Sequence, residues 1–219
     1  MLNQLEFTNG MQMPIGAMYG IGQNYTAHAK EMGGQEYTMP ILFIKPPSAY
    51  IPSGSVFKIP NYSNNVHYEC ELVVVIGKEC LNVKAEDAHN YIAGYAVGLD
   101  ITLRDLQKKA KDEGLPWAIA KGFANSAPIS KVVPFNQFKE NYPIFEIELK
   151  VNNEVKQYAK TDDFITSVSK LIEILSGIFS LQPGDCIFTG TPSGVGPIHS
   201  GDKLHAELKG YVDLDIEAV

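Results

Sequence analysis

Basic clusters are missing from this sequence. Its 18 Lys and Arg residues are scattered among 25 Asp and Glu, with a formal charge of -7 and a pI near 5.2, so no nucleic-acid and no anionic-membrane partner is expected. Cysteine is scarce as well. Cys70, Cys80 and Cys186 are odd in number and show no C-x-x-C spacing, which excludes a disulfide framework and a structural zinc site and leaves buried, reduced thiols. Nowhere does the chain have the roughly 18 consecutive apolar residues that would cross a bilayer, and residues 1–6 carry no basic segment leading into an apolar run. The expected compartment is the cytoplasm. Residues 190–196 form a Gly-rich loop without the lysine or spacing of a P-loop, no G-x-S-x-G elbow occurs, and no cysteine stands in a nucleophile signature. Nucleotide binding and covalent hydrolase chemistry therefore have no support.

What the sequence does have is apolar content, 45% of its 219 residues, enough for one full core in a single domain with at most a small appendage. Residues 71–76 read as a strongly apolar strand, residues 85–92 as a helix, and residues 94–102 as a second apolar strand with Asp100 at its end. Thr102 and Asp105 resemble a capping box for a helix over residues 103–113 that Gly114 closes. Phe145, Ile147, Leu149 and Val151 alternate with charged residues, as in an antiparallel strand with one wet face, and Asn152-Asn153 makes a hairpin turn. Residues 164–180 read as an amphipathic helix carrying Ile165, Val168, Ile172, Leu175 and Phe179. The turns Pro183-Gly184-Asp185 and Ser200-Gly201-Asp202 each open a strand, and residues 211–219 form a last one. Many strands, few helices and no regular alternation predict an α+β, mainly β fold.

The segment His67-Tyr68-Glu69-Cys70-Glu71 carries the chemistry. Side chains alternate along a strand, so His67, Glu69, Glu71, Val73 and Val75 share a face, with the two glutamates roughly 6 to 7 Å apart at the backbone. Buried carboxylates need neutralising, and a hard divalent ion shared with Asp100 would do so. The alternative is an edge strand with a wet face, as Glu146 and Glu148 suggest further on. His67 reads as a supporting residue, because imidazole is softer than Mg2+ prefers. Lys121 is a cation in an apolar stretch that could balance three carboxylates and a metal, or could snorkel to the surface. His28 and Glu31, three apart on a helical turn, have the spacing of a water-activating dyad or of an ordinary exposed turn. Arg104 and Gln107, also three apart, could face an anionic substrate or solvent.

Taken together, Asn24-Tyr25 with His28 and Glu31, Phe43-Ile44-Lys45-Pro46, His67 through Leu72, Gly94-Tyr95 through Asp100, Arg104 through Gln107, Pro116-Trp117 with Lys121, and Thr189 through Pro197 resemble the fumarylacetoacetate hydrolase family, in its acylpyruvase-like branch. The likeness runs in order from about residue 15 to the C-terminus. It implies a β-roll, one catalytic domain over residues 1–219 with residues 1–45 as an N-terminal lid or appendage, and a homodimer. It also implies Mg2+ or Mn2+ held by Glu69, Glu71 and Asp100, with Lys121 beside the metal and His28 and Glu31 as the water-activating dyad. Phe123-Ala124-Asn125 departs from the Asp that many relatives carry there.

The resemblance implies a metal-dependent hydrolase acting on small anionic 2-oxo acids. A 3-acylpyruvate would chelate the metal, water activated by His28 would attack the distal carbonyl, and a pyruvate enolate would leave, stabilised by the metal and Lys121. Arg104, Gln107 and Thr191 would contact the carboxylate and oxyanion. Oxaloacetate decarboxylation or keto-enol tautomerisation, or isomerisation or decarboxylation of an aromatic-catabolite 2-oxo acid, would use the same enolate chemistry. Outside enzymes, a metal-stabilised binding protein is the alternative.

Overall fold

The structure, a computed structural model, describes residues 3–25 and 39–219. Cys70–Ile76 is apolar at every position after Glu71, and a strand with two apolar faces must be covered on both. It lies inside an eight-stranded sheet, between Ile92–Leu99 and Cys186–Phe188, antiparallel to each. Cys70, Leu72, Val74 and Ile76 face one core, whereas Val73 and Val75 face another with Leu5, Ile15 and Phe188. The edge-strand alternative for Glu69 and Glu71 is thereby excluded.

A five-stranded sheet runs in the order Glu154–Lys160, Glu146–Val151, Lys203–Leu208, Val212–Ala218, Ser55–Phe57. Its inward Ile147, Leu149, Leu214 and Ile216 join the larger core with Leu171, Ile172 and Leu175 of the helix Val168–Ile178. Glu146 and Glu148 occupy the alternate positions of their strand and pair with lysines there, Glu148 with Lys150 and Lys209. Asn152 and Asn153 both adopt positive φ, 52° and 68°, as a tight hairpin turn requires. A small sheet of Thr102–Leu103, Val66–Tyr68 and Gly196–Pro197 lies next in chain order to the carboxylate segments. The curled, mostly β arrangement is the expected α+β β-roll.

Several boundaries differ from the sequence reading. Residues 1–45 are not an appendage where they are described, since Met18–Gly22 and Ile41–Lys45 are strands of the eight-stranded sheet. Residues 85–91 form a 3-10 helix. The helix expected from residue 164 begins at Val168 with Ser167 as its N-cap, because the backbone N-H groups of Ile165 and Thr166 are held by Asn24 instead. Arg104–Glu113 does end on Gly114 in the left-handed conformation, but no capping box forms at its start. The Asp105 carboxylate accepts from Ser63 and Asn64, and the Thr102 hydroxyl is engaged at the site described next.

Candidate active site

Glu69 stands between the strands Val66–Tyr68 and Cys70–Ile76, and Asp100 follows Ile92–Leu99. The Asp100 N-H donates to the Glu69 carbonyl at 2.8 Å, which fixes the two strand ends together. Carboxylate oxygens of Glu69, Glu71 and Asp100, all buried, consequently lie within 4.8 Å of one another. Such a grouping is unfavourable in a low-dielectric interior unless cations oppose it.

Lys121, on the short helix Ala118–Lys121, supplies one. It is 2% exposed, and its Nζ donates to Glu69 Oε2 at 2.6 Å, to Asp100 Oδ2, and to Thr102 Oγ1 at 2.7 Å. It does not snorkel. Thr102 Oγ1 in turn donates to the Asp100 carbonyl at 3.0 Å. Arg104, the chain's single arginine, donates through Nη2 to Glu69 Oε1 at 2.5 Å and through Nη1 to Gln107 Oε1 at 2.6 Å. The Gln107 amide is thus left with its NH2 group as a donor.

The three carboxyls differ electrostatically. Burial pushes Glu69 up, but Lys121 and Arg104 outweigh it and hold the carboxyl well below the usual range. Burial, reinforced by the charges of Asp100 and Glu69, pushes Glu71 well up. Asp100 is raised by burial, against the pull of Lys121 and Lys45. For Lys121 burial works toward the neutral amine, yet Asp100 and Glu69 prevail and raise it.

Glu71 is oriented from a distant part of the chain. Gly190 N-H donates to its Oε2 at 2.7 Å. Gly190 has φ 99°, and a Cβ there would stand 2.7 Å from that of Asn24. Thr191 donates from Oγ1 to the Cys70 carbonyl at 3.0 Å and accepts from Gln157 Nε2 at 2.8 Å. Its hydroxyl is thus engaged on both sides. His67 is not in the carboxylate group; burial, then Arg104, lowers its pKa, and Nδ1 is buried with no hydrogen-bond partner among the described residues.

A cleft of about 380 Å³, its open mouth included, reaches this cluster. Glu69, Glu71, Arg104, Gln107, Lys121 and Thr191 line it, so the structure brings together all the site residues expected within the described chain except Asp100, which sits beneath Lys121. His28 and Glu31 lie outside the described residues. The chain on either side of them lines the cleft, at Gln23 before and Ile41 after.

Three residues were given no site role by the sequence reading. Lys111 lines the cleft with its Nζ 5.0 Å from the Trp117 ring, and its spacing from Arg104 and Gln107, seven and four, was a usable helical signal. Lys45 is fully buried against Asp100. Gln157, also buried, accepts from Cys70 N-H at 2.9 Å and donates to Thr191 and to the Pro192 carbonyl, so it joins the strand carrying Glu71 to the loop carrying Gly190.

The cluster fits a divalent ion. It offers only hard oxygen donors, and Asp100 Oδ1 is buried without a hydrogen bond, having the Lys45 ammonium 2.8 Å away as its partner. Carboxylates alone suit Mg2+ or Mn2+.

Known proteins place this arrangement. Oxaloacetate tautomerase FAHD1, mitochondrial, of Bos taurus is 42% identical over 194 residues, 89% of this chain and 87% of that protein. A fumarylpyruvate hydrolase from Pseudomonas aeruginosa, solved with Mn2+ and pyruvate, superposes with a TM-score of 0.94 at 38% identity and covers 100% of this chain and 96% of its own. A 2-hydroxyhepta-2,4-diene-1,7-dioate isomerase from Mycobacterium marinum gives 0.82 at 33%, covering 94% and 76%. Residues 17–217 match the family described as fumarylacetoacetate (FAA) hydrolase C-terminal. The chain is an enzyme of the fumarylacetoacetate hydrolase family.

Proposed function

We propose that this enzyme acts on small anionic 2-oxo acids through a pyruvate-type enolate, and that its reaction is keto-enol interconversion of oxaloacetate. The observation that carries the reading is Lys121, a buried ammonium held between Glu69 and Asp100 at the floor of the cleft. A fixed cation in a site screened from water stabilises an oxyanion where its charge develops, with no reorganisation at the moment of reaction. Glu69, Glu71 and Asp100 would hold the divalent ion, which supplies Lewis-acid polarisation of the 2-oxo group.

Arg104 Nη groups, the Gln107 NH2 and Lys111 give the wall of the cleft its donors for a carboxylate. Asp100 and Glu69 raise the Lys121 pKa, which favours a role as a cation over that of the base that removes the C3 proton. That base belongs to the His28-Glu31 dyad, whose flanking residues Gln23 and Ile41 line the cleft. The bovine relative supports oxaloacetate as substrate and the Pseudomonas protein supports pyruvate as the product half.

Hydrolysis of 3-acylpyruvates is the second reading, favoured by the 0.94 superposition on a fumarylpyruvate hydrolase. It requires the dyad to activate water instead of moving a C3 proton. Incubation with oxaloacetate, acetylpyruvate and fumarylpyruvate in Mg2+ or Mn2+, with products identified, tests both. Metal-dependent equilibration of enol and keto oxaloacetate supports the first reading, and pyruvate plus a second carboxylic acid from an acylpyruvate supports the second. No turnover of any of the three, with the metal bound, contradicts both.

A further inference from the structure

Lys45 is a buried cation to which the proposed chemistry gives no part. It ends the strand Ile41–Lys45, is 1% exposed, and places Nζ 2.8 Å from Asp100 Oδ1. The same nitrogen donates toward the carbonyls of Ile101 at 3.2 Å, Lys121 at 2.5 Å and Ser126 at 2.9 Å, and toward Ser126 Oγ at 3.1 Å. Five oxygens surround one nitrogen. Burial lowers the Lys45 pKa against the pull of Asp100; a neutral amine has two N-H groups and an ammonium three, so this shell of acceptors, the Asp100 carboxylate among them, works toward the charged form. Two of the carbonyls belong to Lys121 and to the residue after Asp100, which ties Lys45 to the backbone of both.

Its charge matters as much as its hydrogen bonds. With Lys45 included, three cations, Lys45, Lys121 and Arg104, stand against three carboxylates. A divalent ion entering such a site keeps its full charge for whatever anion follows it. Without Lys45, part of that charge would be spent on Asp100. We propose that Lys45, acting through Asp100, lowers by its charge the site's affinity for the metal while raising the loaded site's affinity for an anion. The proposal rests on the reading of the cluster as a divalent-ion and 2-oxo-acid site.

The test is K45M, titrated calorimetrically first with Mn2+ and then, in the Mn2+-loaded protein, with oxalate as a planar dianionic probe. Removal of one charge a few ångströms away predicts Mn2+ binding at least about tenfold tighter and oxalate binding at least about tenfold weaker, the figure for a divalent ion several ångströms away even under the screening of bulk water. K45R, which keeps the charge, restores oxalate binding. A loosened site would weaken both ligands, so parallel losses, or no change in either, overturn the proposal. K45Q, which retains two N-H donors for the carbonyls, makes the same comparison if K45M does not fold. Failure of the wild-type protein to bind Mn2+ or oxalate refutes the reading of the site itself, whereas wild-type binding that K45M leaves unshifted refutes only the role of Lys45.

Discussion

Glu71 Oε2 accepts a hydrogen bond from Gly190 N-H at 2.7 Å, across 119 residues of sequence. The contact depends on a left-handed backbone at Gly190, and a Cβ there would meet Asn24. G190A should cost about 1–3 kcal/mol of stability through backbone strain, and should weaken Mn2+ binding by turning Glu71 away. Denaturant unfolding and calorimetry check the two effects, and a variant unchanged in both would show that the contact does not hold Glu71.

Lys121 is the partner on which two buried carboxylates depend. K121M removes it and leaves Glu69 with Arg104 and Asp100 with Lys45, a loss of roughly 3–5 kcal/mol in the metal-free protein. Part of this should return when Mn2+ is added, because the ion replaces the missing positive charge. Turnover should remain about 10²–10³-fold down with metal saturating. Wild-type kcat in K121M would refute its part in stabilising the enolate.

The opposed shifts of Glu69 and Glu71 set the pH dependence. Glu71 is raised above the ordinary 4.5 by burial, then by Asp100 and Glu69, so between 4.5 and its raised value the folded protein holds a proton that the unfolded chain has lost. Stability of the metal-free protein therefore falls as pH rises through that window. Glu69, held low, contributes stability that is fully present above 4.5 and is lost only as pH falls below it. Metal binding must release the Glu71 proton, so affinity should weaken by up to about tenfold per pH unit below its pKa. Melting curves and Mn2+ titrations at several pH values read both trends; metal affinity that does not change with pH would contradict the assignment.

The dyad proposed at His28 and Glu31 would have a separable role. H28A should reduce turnover about 10²–10⁴-fold, the usual worth of a general base, while Mn2+ affinity stays at the wild-type value. An equal loss of metal binding would place His28 among the ligands instead.

The carboxylate cluster was legible in sequence because alternation along one strand, a local rule, puts Glu69 and Glu71 on one face, and Asp100 stands at the end of the next apolar segment. The role of Lys45 was not, although Phe43-Ile44-Lys45-Pro46 is one of the motifs of the resemblance, since its acceptors lie 56 to 81 residues away. Gln157 was hidden for the same reason, on the hairpin strand of another sheet. The helix expected from residue 164 failed at its start because Asn24 captured the backbone of residues 165 and 166, a pairing no helical periodicity contains. Thr102 and Asp105 had the spacing of a cap, but a buried lysine competed for the hydroxyl and Ser63 for the carboxylate.

The central claim is tested most directly by the rate at which enol-oxaloacetate absorbance decays with the wild-type protein in Mn2+, with the same protein in EDTA, and with E71Q in Mn2+. Rapid decay to the keto form in the first, falling to the uncatalysed rate in the other two, is the result expected. Decay equally fast in EDTA or in E71Q, or none above background in the wild-type protein, would contradict it.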